Sequence, residues 1–531
     1  MDKISSKHMQ PRHRGEWGSK LGLILAMAGN AVGLGNFWRF PRMAAQYGGG
    51  AFMIPYFLAL IIVGLPIMIT EWHLGRFGGQ HGHGTIGPMI YLQAKERVKP
   101  RTALVLGSIC GGLAFAIPVL INSYYNHIVG WSLNYAFQSL IGRMGPDVDK
   151  TAAYVDAISN PLPAILFWII VMILLAVAAS KGIKKGIEAW SKVMMPTLYV
   201  FGILLAIFAL CTPARPDTPN LTALAGLEFL WKPDFSKINW EVVLATCGQI
   251  FFTLSLGMGL IANYASFLKK DDDIVVSSIA TVSLNEFAEV VLASTAVVPL
   301  AFVFMGKDLI DPSMGSIGFS FMAMPNAFNS LPGVLSNIVG ACWFFLLFFA
   351  GFTSALALFN YLVTFIEEGT KFSRGAASWT AFLVLIVLGL PVVIEPILNA
   401  GSQIYFDTVD SWVGSYLVLI LGLIELIVVG WMVKPKKTLE GINSGAKAKM
   451  PLWIVTCFIK VITPAILLVV IINATISKVQ TGYFSLTGGE NGHILWTNIG
   501  RGMIIAVFLF GLIVSIKLLK REYSKDLVKN K

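Results

Sequence analysis

Charge is what this sequence has least of. Only 13% of its 531 residues are Asp, Glu, Lys or Arg, well below the roughly one quarter that a water-solvated surface requires, so a string of soluble domains is excluded. Cysteine is scarce as well: Cys110, Cys211, Cys247, Cys342 and Cys457 all sit in apolar runs without a CxxC pair. That excludes a disulfide scaffold and leaves them as small core side chains. HExxH and GxSxG are missing, and most of the seven histidines lie before or just after the first two apolar segments. No nucleophile with its base and no metal-ligand cluster is visible, so neither an enzyme nor a catalytic residue is expected. What is present is apolar: 56% hydrophobic residues and a mean hydropathy of +0.71, the composition of a chain solvated by a lipid bilayer.

Twelve apolar segments lie near residues 20–46, 50–75, 103–135, 163–180, 190–211, 241–268, 274–305, 336–367, 376–396, 408–433, 451–475 and 498–519. Their lengths predict an all-α, multi-pass integral membrane protein. The net charge of +11 would suggest nucleic acid in a soluble chain, but its placement excludes that partner. With the N-terminus in the cytoplasm, most of the 40 lysines and arginines fall in inner segments, including Lys184, Lys185, Lys434, Lys436, Lys437 and the tail beyond 519. The positive-inside rule then puts both termini in the cytoplasm and the chain in the inner (plasma) membrane of a cell.

The first nineteen residues are polar, and no small-residue cleavage site follows the first apolar run, so no cleavable signal peptide is expected. Residues 1–19 are read as a cytoplasmic segment, 20–211 as five spans, 212–240 as an outer loop and 241–433 as five more spans. The division ends with two spans over 451–519 and a charged, mobile cytoplasmic tail over 520–531. The outer stretches KPDFSKINW and PNAFNSLPG predict turns and short surface helices.

Two spans carry polar and flexible residues where a membrane helix should have none. The first reads GLILAMAGNAVGLGNFWRFP, with Gly29, Asn30, Gly33, Gly35 and Asn36 at its middle. Gly29 and Gly33 also form a GxxxG, so a close helix contact is an alternative to a break. The sixth reads QIFFTLSLGMGLIANYASF, with Gln249, Thr253, Ser255, Gly257 and Gly259 again halfway across. Interrupted spans five apart are what two inverted five-helix repeats produce, with a site between the breaks. Half-helix N-termini there would face an anion and half-helix C-termini a cation, which predicts a zwitterion, or an anion with cations.

These stretches, with GGGAFMIPY, EWHLGRFGGQHGHG, KGIEAWSKVMMPTL, FLWKPDF, LNEFAEV, WFFLLFFAGFTSALA and ITPAILL, resemble the neurotransmitter:sodium symporter family, especially its bacterial LeuT-type amino-acid transporters. The resemblance implies a LeuT-type fold of two inverted five-helix repeats with helices 1 and 6 broken. It also implies a secondary active symporter that couples inward movement of two sodium ions to uptake of a neutral, mainly hydrophobic L-amino acid by alternating access.

Carried over by residue, it implies a first sodium site from the Ala31 carbonyl, Asn36, Thr253, Asn285 and the substrate carboxylate. The second is implied from the carbonyls of Gly29, Val32 and Ala350 with the hydroxyls of Thr353 and Ser354. Neither contains a protein carboxylate. The substrate carboxylate is implied to meet the amides of Leu34 and Gly35 and the Tyr125 hydroxyl. Its amine would meet the carbonyls of Ala31, Phe252 and Thr253 and the Ser255 hydroxyl. Asn30 and Ser354 complete the polar wall, and Ile121, Phe252, Met258 and Leu358 the apolar one. Monoamine carriers of the family have an aspartate where this chain has Gly33, which favours amino acids over amines. Met258 stands for the phenylalanine of LeuT, and its flexibility predicts acceptance of aromatic as well as aliphatic side chains.

By the same resemblance Arg39 and Asp410 form an outer gate over Tyr125 and Phe252, and Arg14 and Glu368 an inner one. Phe267 replaces a tyrosine that supports the inner gate in LeuT. Glu71 is expected to accept hydrogen bonds from amides freed by the breaks, with a proton relay the alternative. Glu289 stands where chloride-dependent members bind chloride, so a built-in carboxylate predicts chloride-independent uptake. Spans eleven and twelve lie outside the repeats and are expected to serve packing or contact in a homodimer. A channel would need a continuous polar stripe; a carrier for a methylated or β-amino acid is the nearer alternative.

Overall fold

The computed structural model describes residues 15–144, 149–305, 315–328, 331, 333–399, 401–483 and 494–528, and among these it is helical without a strand. Span 1 is the bent pair Lys20–Ala31 and Leu34–Gln46, whose halves differ by 49°. Spans 2 to 5 are Gly50–Gln80, Pro100–Leu140, Pro161–Ser180 and Ile183–Cys211. Span 6 is the shorter apolar helix Trp240–Thr253 followed, after an unwound stretch, by Leu260–Ala265. Spans 7 to 12 are Ile274–Phe304, Gly333–Thr370, Arg374–Leu398, Ile404–Met432, Ile454–Gln480 and Ile494–Glu522.

Equivalent members of the two groups of five pack on each other. Spans 3 and 8, the third of each group, run along one another, as do spans 4 and 9. The apolar windows of spans 2, 3, 7, 8 and 10 are mostly buried, whereas less than half of those of spans 4, 5, 9, 11 and 12 is buried. Span 9 shows why: Leu383, Val387, Leu390, Ile394 and Leu398 recur at helical spacing and all lie exposed. Such a stripe has no place in water and is what a lipid-facing surface requires.

Both breaks follow from local chemistry. In span 1 the helix stops at Val32 and Gly33, and the Asn36 side chain closes the new N-terminus by accepting the Gly33 N–H at 2.8 Å. In span 6 Ser255, Gly257 and Gly259 take φ of 53°, 67° and 75°, the left-handed region open to glycine and strained for serine. Gly257 is held from two sides. Its N–H donates to Glu71 Oε1 at 2.7 Å, and a Cβ there would strike the Val418 carbonyl. Gly257→Ala is therefore expected to destabilise the fold by about 2–5 kcal/mol from left-handed strain plus overpacking; thermal unfolding of the purified variant in detergent checks this.

Several expectations change in the structure. Helices outrun the apolar segments, span 3 by several residues at both ends, because helical hydrogen bonding continues into the polar headgroup layer. Cys110 and Cys247 are buried, but Cys211 and Cys457 are exposed on lipid-facing helices, since apolar surroundings in a membrane need not mean a protein core. The tail is not a loose end through residue 528. Ser524–Val528 is helical, Tyr523 stacks on Tyr91 with ring centroids 4.4 Å apart, and Lys95 pairs with Asp526 at 3.1 Å. Burial and the Asp526 carboxylate push the Tyr91 hydroxyl up to about 12, so this contact keeps its proton at neutral pH.

Candidate functional site

The two breaks meet. Ser255 Oγ donates to the Asn30 carbonyl at 3.0 Å, and Asn36 Nδ2 donates to Thr253 Oγ1 at 3.1 Å. Between them lies a cavity of about 470 Å³. Its wall includes Asn30, Ala31, Gly35, Ile121, Tyr125, Phe252, Thr253, Ser255, Met258, Ser354 and Leu358, together with Gly33, Asn36, Arg39 and Asp410. Leu34 is absent from the wall. Its side chain packs towards Gly351, while its N–H donates to the Tyr125 hydroxyl at 3.1 Å.

The cavity is polarised by where helices start and stop. Leu34–Gln46 begins at it, presenting N–H groups, while Lys20–Ala31 and Trp240–Thr253 end at it, presenting carbonyls. One end is thus suited to an anion and the other to cations or an ammonium group. The Asn30 side chain is fully buried, and neither its Oδ1 nor its Nδ2 has a partner among the described residues. A buried amide without partners is costly unless a ligand supplies them. A Cβ on Gly33 would come within 2.8 Å of Ser354 Oγ and 2.9 Å of the Tyr125 hydroxyl, so a side chain at that position would occupy the binding space.

Two clusters of oxygens flank the cavity. In one, Ser354 Oγ lies 3.2 Å from the Gly29 carbonyl and 3.5 Å from that of Val32, and Thr353 Oγ1 lies 3.1 Å from that of Ala350. Such spacing is that of neighbouring oxygens around a hard cation with metal–oxygen distances of about 2.4 Å. In the other, Asn285 Oδ1 accepts from Asn36 Nδ2 at 2.9 Å, and Asn285 Nδ2 donates to Thr253 Oγ1 at 3.1 Å.

Glu289 borders this second cluster. Its Oε2 accepts from Asn36 Nδ2 at 2.9 Å and from Thr253 Oγ1, and its Oε1 from Gln249 Nε2 at 2.7 Å. Glu286 joins the edge, accepting from the Tyr56 hydroxyl at 2.8 Å and from Asn285 at 3.2 Å. Sequence reasoning passed over Glu286, although it adjoins Asn285 in LNEFAEV.

The gate residues are placed differently from one another. Arg39 lies over the Phe252 ring, 4.5 Å from its centroid, and Asp410 takes the Tyr124 hydroxyl at 2.5 Å. The cavity extends past both residues to Gln403 and Asp407. On the opposite side Glu368 accepts from the Gly84 N–H and the Thr85 hydroxyl, each at 2.5 Å, and Trp17 Nε1 donates to the Tyr264 carbonyl at 3.2 Å. Arg14 lies outside the described residues; Phe267 is buried.

The sequence profile described as "Sodium:neurotransmitter symporter family" matches residues 14–155 and 148–519. An "Uncharacterized sodium-dependent transporter" of Methanocaldococcus jannaschii is 33% identical over 491 residues, covering 90% of this chain and 93% of that one. A similarly described transporter of Bacillus subtilis is 29% identical, covering 86% and 97%. The crystal structure of MhsT in complex with L-phenylalanine matches with a TM-score of 0.73 and 31% identity, covering 87% of this chain and all of that one.

Proposed function

Because the chain belongs to the sodium:neurotransmitter symporter family, we propose that it couples inward movement of two sodium ions to uptake of a neutral, mainly hydrophobic L-amino acid, without chloride. The observation that carries this reading is the cavity between two broken helices, with N–H groups at one end and carbonyls at the other. A substrate there needs its own carboxylate as well as an amine. Gly33 supports this, since no side chain at that position supplies the charge an amine alone would lack.

The amides of Leu34 and Gly35 and the Tyr125 hydroxyl take the substrate carboxylate, and the carbonyls around Ala31, Phe252 and Thr253 take the amine. One sodium sits with Asn36, Thr253 and Asn285 and shares the substrate carboxylate, which makes ion and substrate binding mutually dependent. The other sits with Thr353, Ser354 and the Gly29, Val32 and Ala350 carbonyls. Twelve crossings leave both chain ends on one side, and the basic residues there support the cytoplasm of an inner (plasma) membrane.

At about 100 mV each entering sodium releases about 2.3 kcal/mol, and a tenfold gradient adds about 1.4 kcal/mol. Two ions supply about 7 kcal/mol, a ceiling near 10⁵-fold accumulation. Uptake into proteoliposomes under a sodium gradient, scanned across the amino acids, tests the whole reading; accumulation that is equal with and without sodium overturns it.

Met258 lines the apolar wall beside Ile121 and Leu358. Its flexible thioether predicts that phenylalanine and tryptophan compete with labelled leucine within about tenfold of leucine itself. The bound phenylalanine of MhsT supports the same expectation. Failure of aromatic amino acids to compete in large excess would remove Met258 as an adaptable wall.

A further inference from the structure

Glu188 is the acid of KGIEAWSKVMMPTL, and the site described above does not use it. It lies near the start of span 5, 1% exposed, and its carboxylate reaches across to span 1. Oε2 accepts from the Gly18 N–H at 2.5 Å and Oε1 from the Ser19 hydroxyl at 2.7 Å. Lys192, one turn further along span 5, pairs with Oε1 at 2.6 Å. A Cβ on Gly22 would strike the carboxyl itself, so the missing side chain there is what lets span 5 come this close.

These contacts sit at the start of Lys20–Ala31, the inner half of span 1, where unpaired N–H groups and the helix dipole favour a negative charge. Ser19 already caps that helix by accepting the Gly22 N–H at 3.0 Å. Glu188 therefore supplies no missing cap; it ties the helix to another span. Two turns on, span 5 meets the same half again, with a Cβ on Gly29 coming 3.2 Å from Met195 Sδ and 3.0 Å from Thr353 Cβ. Gly29 and Val32 place their carbonyls in the oxygen cluster around Ser354. The half is one continuous helix that ends at the break after Ala31, so a shift at Gly18 and Ser19 carries through to those carbonyls.

We propose that Glu188 is a positioning residue of the transport cycle: bound to Gly18 and Ser19, it holds the inner half of span 1 against span 5 and thereby sets the Gly29 and Val32 carbonyls in the second sodium cluster. Lys192 keeps the carboxylate paired when the half tilts away, so the acid is not left as an isolated charge. The role of that cluster rests on the symporter reading above, whereas the anchor rests on the contacts alone.

Hydrogen–deuterium exchange of the full-length protein in lipid nanodiscs reads the anchor without a transport assay. Glu188→Gln keeps the volume but loses the charge and one acceptor oxygen. Peptides within residues 20–31 should then exchange at least about fivefold faster than in wild type, with those of span 3 unchanged. Gly22→Ala should act the same way, although alanine is the better helix former, because its methyl displaces the carboxylate. In uptake both variants should raise the sodium concentration for half-maximal rate by about tenfold, with amino-acid affinity at saturating sodium unchanged. Wild-type exchange within 20–31 overturns the anchor. So does slower exchange in Gly22→Ala, since helix propensity would then outweigh the contact, and so does acceleration spread evenly over all spans. Faster exchange with an unchanged sodium requirement overturns the positioning role. Should Glu188→Gln fail to fold, Gly22→Ala alone decides. Wild-type uptake that ignores sodium counts against the symporter reading instead, and the exchange comparison still decides the anchor.

Discussion

Serine in place of Glu289 is expected to make transport depend on chloride, with uptake in chloride-free medium falling by tenfold or more. The carboxylate accepts from Asn36, Thr253 and Asn285 through one oxygen and from Gln249 through the other. Removing it leaves these buried donors converging on nothing, and each unmet donor costs about 1–3 kcal/mol. It also removes a negative charge that would balance the sodium ion proposed for the adjoining cluster. A small anion can occupy the space left by the truncated side chain and restore both. Uptake by Glu289→Ser proteoliposomes in chloride against gluconate is the measurement. Equal transport in the two media, whether high or low, would show that Glu289 does not act as a fixed substitute for an anion.

The second large effect concerns Thr353. Its Oγ1 sits 3.1 Å from the Ala350 carbonyl, in the oxygen cluster that includes Ser354 and the Gly29 and Val32 carbonyls, and it is not part of the substrate cavity wall. Thr353→Val keeps the shape and removes one ligand oxygen, a loss of about 1–3 kcal/mol. The sodium concentration for half-maximal uptake should therefore rise by roughly 10- to 100-fold, with amino-acid affinity at saturating sodium unchanged. Thr253→Val should behave differently. Thr253 lies in the other cluster and on the cavity wall, so sodium and amino-acid affinities should fall together. If both variants shift sodium and substrate equally, the division of the oxygens into two separate ion sites is wrong.

How much of this was legible in sequence depends on whether a feature is local. The two helix breaks were, because glycine and amide clusters announce themselves in any apolar run. The carboxylate in the oxygen cluster was legible only in part. Glu289 stood out as an intramembrane acid near Gln249, but its direct contact with Asn36, 253 residues away in the chain, is a fact of how spans 1 and 7 pack.

The placement of Arg39 and the docked tail belong to the same class. Arg39 lies over the Phe252 ring, which depends on how spans 1 and 6 pack and not on which residues they contain. Tyr523 finds Tyr91 and His83 because span 12 ends beside the helix Ile86–Ala94, a placement that no local pattern encodes.

By itself the sequence determined that lipid solvates the chain, that it crosses the bilayer about twelve times and that spans 1 and 6 break at mid-membrane. Those properties follow from run lengths, charge placement and the conformational preferences of single residues. Only the tertiary structure decided which buried polar groups face one another, since in a low-dielectric interior a carboxylate, amide or hydroxyl takes its character from whatever the fold sets within about 3 Å of it.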